Sequence, residues 1–259
     1  IVKVERSEIR PGGAANVARN AAALGARVSL LALVGNDEPG ESLRRLMHEG
    51  GIDASLHIDD AVTTTVKLRV IGRQQQLLRI DFETMPSHEV LLAKLSDFEQ
   101  RLPECDAVVF SDYGKGGLTH IGEMIGLARV AGKIVLVDPK GDEYAKYAGA
   151  TIITPNRGEL REVVGRWKDE AELERKATAL RTDLDLEALL VTRSDEGMTL
   201  FNAGGTLHEK AVAREVFDVS GAGDTVIATL AVMLAHGADW AEAIHVANVA
   251  AGIVVGKLG

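Results

Sequence analysis

Five short apolar segments alternate with helical patterns through the chain, and this rhythm limits the possible folds more than any other feature. The segments are 27–34 (RVSLLALV), 106–111 (DAVVFS), 133–138 (KIVLVD), 151–154 (TIIT) and 188–192 (ALLVT). Helical patterns occupy 39–49, with Asp37 or Glu38 near its start, and then 118–131, 157–164 and 170–182. Strands that alternate with helices predict parallel βαβ units joined by right-handed crossovers. The chain is 46% hydrophobic but only 4% aromatic, which suits helices packed on a parallel sheet through Ala, Val, Leu and Gly. Its 259 residues allow one large α/β domain, or such a domain with a small appendage. Ligands of these sheets sit beyond the carboxyl ends of the strands. That singles out Ser111-Asp112, Asp138-Pro139-Lys140, Thr154-Pro155-Asn156 and Thr192-Arg193-Ser194.

One stretch breaks the rhythm. Residues 63–82 read as a hairpin, with Val66, Leu68 and Val70 alternating against Lys67 and Arg69 and a turn at Gly72-Arg73-Gln74. Residues 1–9 alternate in the same way. Together they predict a small antiparallel β-flap, 1–9 and 63–82, inserted into a core of 10–62 and 83–259. The alternative is an ordinary edge of the main sheet.

Composition excludes several classes. A net charge of −9, from 29 basic and 38 acidic residues, argues against a broad nucleic-acid footprint. The single Cys105 excludes an internal disulfide and a cysteine metal cluster. No apolar run reaches the ~18 residues of a membrane span, and no signal-peptide pattern opens the chain, so a cytoplasmic protein is expected. Neither a G-x-G-x-x-G after a first strand nor a G-x-x-x-x-G-K-[ST] loop is present, which disfavours a dinucleotide oxidoreductase and a P-loop NTPase.

Two motifs carry chemistry. Asp218-Val219-Ser220-Gly221-Ala222-Gly223-Asp224 runs into an apolar helix at 225–235. Small residues entering a helix leave backbone N–H groups free to face an anion, and the helix dipole favours negative charge there. Asp224 in the first turn is placed to take the proton of an attacking hydroxyl. The other reading makes Gly221-Ala222-Gly223 a plain turn and Asp224 a helix-start carboxylate. Near the other end, Pro11-Gly12-Gly13-Ala14-Ala15-Asn16 leads into a helix ending at Leu24-Gly25. Its glycines permit close backbone approach, and Asn16 offers donor and acceptor to sugar hydroxyls, or else lies on a solvated face.

In that order and about 200 residues apart, a GG-x-x-N and a D-x-x-GAGD element make the chain resemble the ribokinase-like (PfkB) sugar kinases. Asn156-Arg157-Gly158-Glu159 resembles that family's N-x-x-E element, and Thr192-Arg193-Ser194-Asp195-Glu196-Gly197 its nucleotide loop. The wording Ser111-Asp112-Tyr113-Gly114-Lys115-Gly116 and Asp138-Pro139-Lys140-Gly141 is similar to one subgroup, the heptose 7-phosphate kinases of ADP-heptose synthesis.

The resemblance implies a central, mostly parallel sheet flanked by helices, with a small antiparallel β lid. It also implies ATP and Mg²⁺ as cofactors, a sugar phosphate as substrate and a homodimer joined through the lids, with no nucleic-acid or membrane partner. Asp224 would be the base, and the N–H groups of Gly221, Ala222 and Gly223 the anion hole. Gly13, Asn16, Asp112, Lys115, Lys140 and Arg69 would hold the sugar phosphate. Asn156, Glu159, Thr192, Arg193, Ser194, Gly197 and Asn248 would border the nucleotide, with Asn156 and Glu159 reaching Mg²⁺ through water. Relatives bind a monovalent cation at the position of Asp218 and Ser220, but their usual wording is closer to D-T-T. The family's opening strand, ending in a sugar-binding Gly-Asp element, would precede Ile1. Another sugar such as fructose or ribose, or a non-catalytic sensor on the same fold, are the alternatives.

Overall fold

Gly13, at φ 55°, turns the chain into α1 (Ala14–Ala23). The structure is a computed structural model and describes residues 3–72, 75–86, 88–212 and 218–256. β1 (Ser29–Val34), α2 (Glu38–Glu49) and β2 (Asp53–Ile58) follow, with β1 and β2 paired in parallel. α2 starts where it does because the Asp37 carboxylate accepts the Gly40 N–H at 2.9 Å. β3 (Val66–Gly72) and β4 (Gln75–Phe82) form an antiparallel hairpin of their own, and α3 (His88–Arg101) returns the chain to the body.

The main sheet is built from β5 (Ala107–Ser111), β6 (Ile134–Asp138), β7 (Ile152–Ile153) and β8 (Ala188–Thr192), all parallel. Between them lie α4 (Ile121–Val130), α5 (Arg157–Val164) and α6 (Glu170–Asp183). β9 (Met198–Asn202) and β10 (Gly205–Glu209) extend it antiparallel, giving the order β10-β9-β8-β7-β6-β5. α7 (Ala222–Ala235) and α8 (Trp240–Val255) close the chain.

Alternating side chains set the layers. Val135, Val137, Leu189 and Val191 point to one face, where they pack with Ile121 and Ile125 of α4, Leu160 of α5 and Leu173 of α6. Leu136, Ala188 and Leu190 point to the other, against Val226, Ile227 and Leu230 of α7 and Ile244 of α8. This period-two division of one strand between two buried faces is what a parallel sheet covered by helices on both sides requires. It brings the ends of β5, β6, β7 and β8 out at one rim, beside the amino ends of α1 and α7.

Several expectations change in detail. Residues 3–9 form no strand, so among the described residues the flap is the two-stranded β3–β4 hairpin alone. Arg73 and Gln74 of its turn lie outside the described residues. The helix expected over 118–131 begins at Ile121, and the strand expected over 151–154 is only Ile152–Ile153. The hairpin itself is two-faced. Val66, Leu68 and Val70 pair with Phe82, Ile80 and Leu78, while Lys67 and Arg69 pair with Asp81 and Arg79 on the opposite face.

Candidate active site

The base expected from the sequence sits where two helices meet. Asp224 lies in the first turn of α7, and its Oδ2 accepts the Asn16 side-chain amide of α1 at 2.7 Å. Its Oδ1 accepts the Tyr113 hydroxyl at 2.9 Å, from the loop after β5. α1 and α7 are tied again by Asn20 Nδ2, which donates to Thr225 Oγ1 at 3.1 Å. Gly221 enters α7 at φ 78°, and a Cβ there would stand 3.0 Å from the Asn16 amide nitrogen. The glycine thus provides both the turn and the space for the Asn16–Asp224 contact. In the turn before the helix, the Ala222 N–H donates to Val219 O at 3.2 Å.

The other strand ends deliver a band of charge. Lys140, after β6, donates to Glu159 Oε1 at 2.9 Å. Asn156 caps α5 by accepting the N–H groups of Gly158 and Glu159, and Glu159 Oε2 accepts the Asn156 N–H in return. Between these groups and Asp224 lies Asp138, the last residue of β6. Burial, then the negative charges of Glu159 and Asp224, push its carboxyl up to about 7. Asp138 belongs to the Asp138-Pro139-Lys140 strand end, but nothing in its local wording distinguished it from a strand-end carboxylate.

Among the described residues, no three His, Cys, Asp or Glu side chains converge to enclose a metal ion. Asp138, Glu159 and Asn156 nonetheless carry hard oxygen donors, and a divalent cation near Asp138 would offset part of the burial and like-charge cost that raises its carboxyl. The set fits Mg²⁺ held largely through its own water shell.

Other sequence-predicted residues have structural partners. The buried Asp112 accepts Lys146 Nζ at 2.8 Å, Tyr147 Oη at 2.7 Å and the Gly114 N–H at 2.7 Å. Burial opposes its ionisation, yet these donors hold it below the usual carboxylate range. Its carboxylate shapes the loop that presents Tyr113. Lys115 pairs with Glu83, at the base of the hairpin. Arg69 is exposed on the hairpin, on the same face as Lys67, whose ammonium stands 5.6 Å from the centre of the Tyr113 ring.

On the nucleotide side, Thr192 donates its N–H to Pro155 O at 3.0 Å, aligning the ends of β7 and β8. Arg193 is buried and forks onto Glu170, 2.7 Å to each oxygen, with further contacts to Glu196 and Thr199. Ser194 takes a left-handed backbone at φ 54°. At Gly197 a Cβ would fall 2.0 Å from Glu209 O, so only glycine lets this loop close against the end of β10. Asn248 of α8 is buried and donates to Lys210 O at 2.7 Å. The geometry therefore joins Asn16, Tyr113 and Asp224 in one cluster and Asn156, Glu159 and Lys140 in another. It gives Arg193, Asp112 and Asn248 internal partners instead.

A glycine-led helix carrying a clamped carboxylate, opposite an Asn-x-x-Glu cap, is matched over residues 1–259 by the family model described as pfkB family carbohydrate kinase. The chain belongs to that family. It is a sugar kinase. A protein of Bordetella bronchiseptica named D-beta-D-heptose 7-phosphate kinase is 56% identical over 259 residues, covering 100% of this chain and 83% of that protein. The bifunctional protein HldE of Methylococcus capsulatus is 52% identical over 260 residues, again covering the whole chain. This pfkB chain spans only 55% of that bifunctional protein. Among solved structures, the tetrameric inhibited form of phosphofructokinase-2 from Escherichia coli superimposes with a TM-score of 0.81 at 17% identity, covering 98% of this chain and 88% of that one. Arabidopsis thaliana ribokinase complexed with ribose and ATP gives 0.75 at 19% identity, covering 95% and 81%. At such identities the likeness shows the ribokinase-like fold alone. No helix among the described residues is long and apolar enough to cross a membrane.

Proposed function

We propose that the chain transfers the γ-phosphoryl group of ATP to the anomeric O1 of D-glycero-β-D-manno-heptose 7-phosphate. The product is the 1,7-bisphosphate, a step of ADP-heptose synthesis for the lipopolysaccharide core. The observation that carries this reading is the Asp224 carboxylate, fixed by Asn16 and Tyr113 at the glycine-led start of α7. The substrate comes from the heptose 7-phosphate kinase that is 56% identical over the whole chain.

Asp224 takes the proton of the sugar hydroxyl as its oxygen attacks the γ-phosphorus, while the N–H groups of Gly221 and Gly223 face the migrating phosphoryl; that of Ala222 is engaged by Val219 O and has to leave it to join them. Asn156, Glu159 and Asp138 would hold Mg²⁺ through water, and the ion would supply charge to offset that of the nucleotide's phosphates. Thr192, Ser194 and Gly197 border the adenosine through their backbone, which Arg193 and Asn248 support from behind. Lys140, drawn to Glu159, works on the nucleotide side. The sugar's distal phosphate then falls to the cationic face of the hairpin, Lys67, Arg69 and Arg79, with Lys115 at its base. Residues 63–82 act as a lid on a core of 10–62 and 83–259. Its outer apolar face, with Leu68, Leu78, Ile80 and Phe82 exposed, supports a homodimer formed lid to lid. Asp218 and Ser220 mark the place for a monovalent cation, and a phosphofructokinase-2 structure in complex with potassium keeps that open.

An ADP-release assay over a panel of sugars and sugar phosphates tests the reading. Two charge-assisted bonds to the distal phosphate separate heptose 7-phosphate from free heptose by roughly 10²- to 10⁴-fold in kcat/KM. Arg69→Ala shrinks that ratio, whereas Lys140→Ala raises the KM for Mg·ATP. Equal use of both sugars removes the phosphate anchor, and a preference for fructose or ribose gives the chain another substrate.

A further inference from the structure

Tyr113 touches three parts of the site: α1, the start of α7 and the hairpin. Its hydroxyl holds Asp224 Oδ1 at 2.9 Å while Asn16 holds Oδ2 at 2.7 Å, so each carboxylate oxygen has one fixed donor. Its ring lies against Gly13, where a Cβ would come within 3.0 Å of Cε2. Lys67 of β3 also reaches over the ring, its ammonium 5.6 Å from the ring centre. Burial, then the charge of Asp224, push the phenol far above its ordinary value, so it remains a donor at any working pH. Each carboxylate oxygen has a second lone pair, so a sugar hydroxyl can bind without displacing either donor.

We propose that Tyr113 is a positioning residue for the base Asp224, and that Lys67 over its ring makes the positioning depend on the lid. The proposal rests on the reading of Asp224 as the base. In the step it serves, the sugar O–H breaks and its proton passes to the Asp224 carboxylate. The new O–P bond forms as the bond from γ-phosphorus to the bridging oxygen breaks, and ADP leaves with that electron pair. Tyr113 keeps its own proton throughout; it fixes the plane of the carboxylate. With the lid displaced the cation–π contact is lost, the ring gains freedom over Gly13, and the base loses one of its two anchors.

The test compares Tyr113→Phe, Lys67→Met and the double variant by ADP release with Mg·ATP and saturating heptose 7-phosphate. Tyr113→Phe keeps the ring and is expected to lower kcat by about 10- to 100-fold, the value of a hydrogen bond to a charged group. The KM for ATP and the melting midpoint should stay at wild-type values. Lys67→Met, on an exposed strand where folding is not at issue, is expected to lower kcat about 2- to 5-fold. In the double variant the Lys67 effect on kcat should vanish, because it acts through the hydroxyl, while any effect on the KM for heptose 7-phosphate, from its place on the hairpin's cationic face, should persist. A Tyr113→Phe enzyme within about 2-fold of wild type overturns the positioning role. A kcat untouched by Lys67→Met, or losses that multiply in the double variant, overturn the dependence on the lid. Wild-type protein that releases no ADP with any sugar or sugar phosphate overturns the kinase reading and this proposal together.

Discussion

Lys94 of α3 is only 6% exposed, and its ammonium donates to the carbonyl of Gly117, on the loop that carries Tyr113. Burial lowers its pKa from 10.5 to about 8, and the nearby Asp112 offsets only part of this. A shift of that size corresponds to about 3 kcal/mol at 1.36 kcal/mol per unit, charged against the folded state whenever the lysine is protonated. Between pH 8 and 10.5 the unfolded chain binds the proton and the folded chain does not, so this contribution to stability rises with pH across that window. Below pH 8 both states are protonated and the full penalty stands. Lys94→Met removes the penalty and loses one hydrogen bond to Gly117, worth about 1 kcal/mol. At neutral pH the variant should therefore be more stable than wild type by about 1–2 kcal/mol. Wild type should recover about 3 kcal/mol relative to it as the pH rises through the window. Urea denaturation of both proteins at several pH values from 7 to 10.5 reads the difference directly. Parallel stability curves would refute the buried-charge argument.

Asp224→Asn keeps the side chain's shape but loses its basicity and turns one of its two acceptor oxygens into a donor, and should lower kcat on the order of 10²-fold or more while nucleotide binding survives; near-normal turnover removes it as the base. Arg193→Ala should lower the melting midpoint by roughly 2–8 °C, about 1–2 kcal/mol for a chain of this size, with little change in the KM for ATP. The reverse pattern would return its guanidinium to the nucleotide. Leu78→Glu on the outer face of the lid should yield monomers in sedimentation at micromolar protein, and an unchanged dimer would place the interface elsewhere.

The layers of the fold were legible because they rest on local pattern. The alternation of Val135, Leu136 and Val137 places β6 between two buried faces, and the run from Arg157 to Val164 announces α5 with its Asn156 cap. The β9–β10 hairpin was missed although Asn202-Ala203-Gly204-Gly205 is a turn signal, with the Gly204 N–H bonded to Asn202 Oδ1 at 2.8 Å. α3 was missed too, despite Leu91, Leu95 and Phe98 at helical spacing. Residues 1–9 alternate in sequence, but alternation specifies a strand only when a neighbouring strand receives it. At the site, motifs located Asn16 and Asp224 but not which groups touch. The Tyr113–Asp224 bond spans 111 residues, and Lys140 and Arg193 could have turned toward a ligand as readily as toward Glu159 and Glu170. Such pairings follow from tertiary packing, which local sequence does not encode.

The two-faced hairpin has a consequence for how this chain tolerates change. Adjacent positions on β3 face different ways: 67 and 69 lie on the face that carries Lys67 toward Tyr113, 68 and 70 on the opposite, apolar face. A saturation scan along the strand should therefore show catalytic and assembly defects in strict alternation, up to the irregularity that shifts the register between Val70 and Ile71. Losing a single residue before Arg69 would turn the ribbon inside out, presenting leucine on the face that carries Lys67 and arginine on the apolar one.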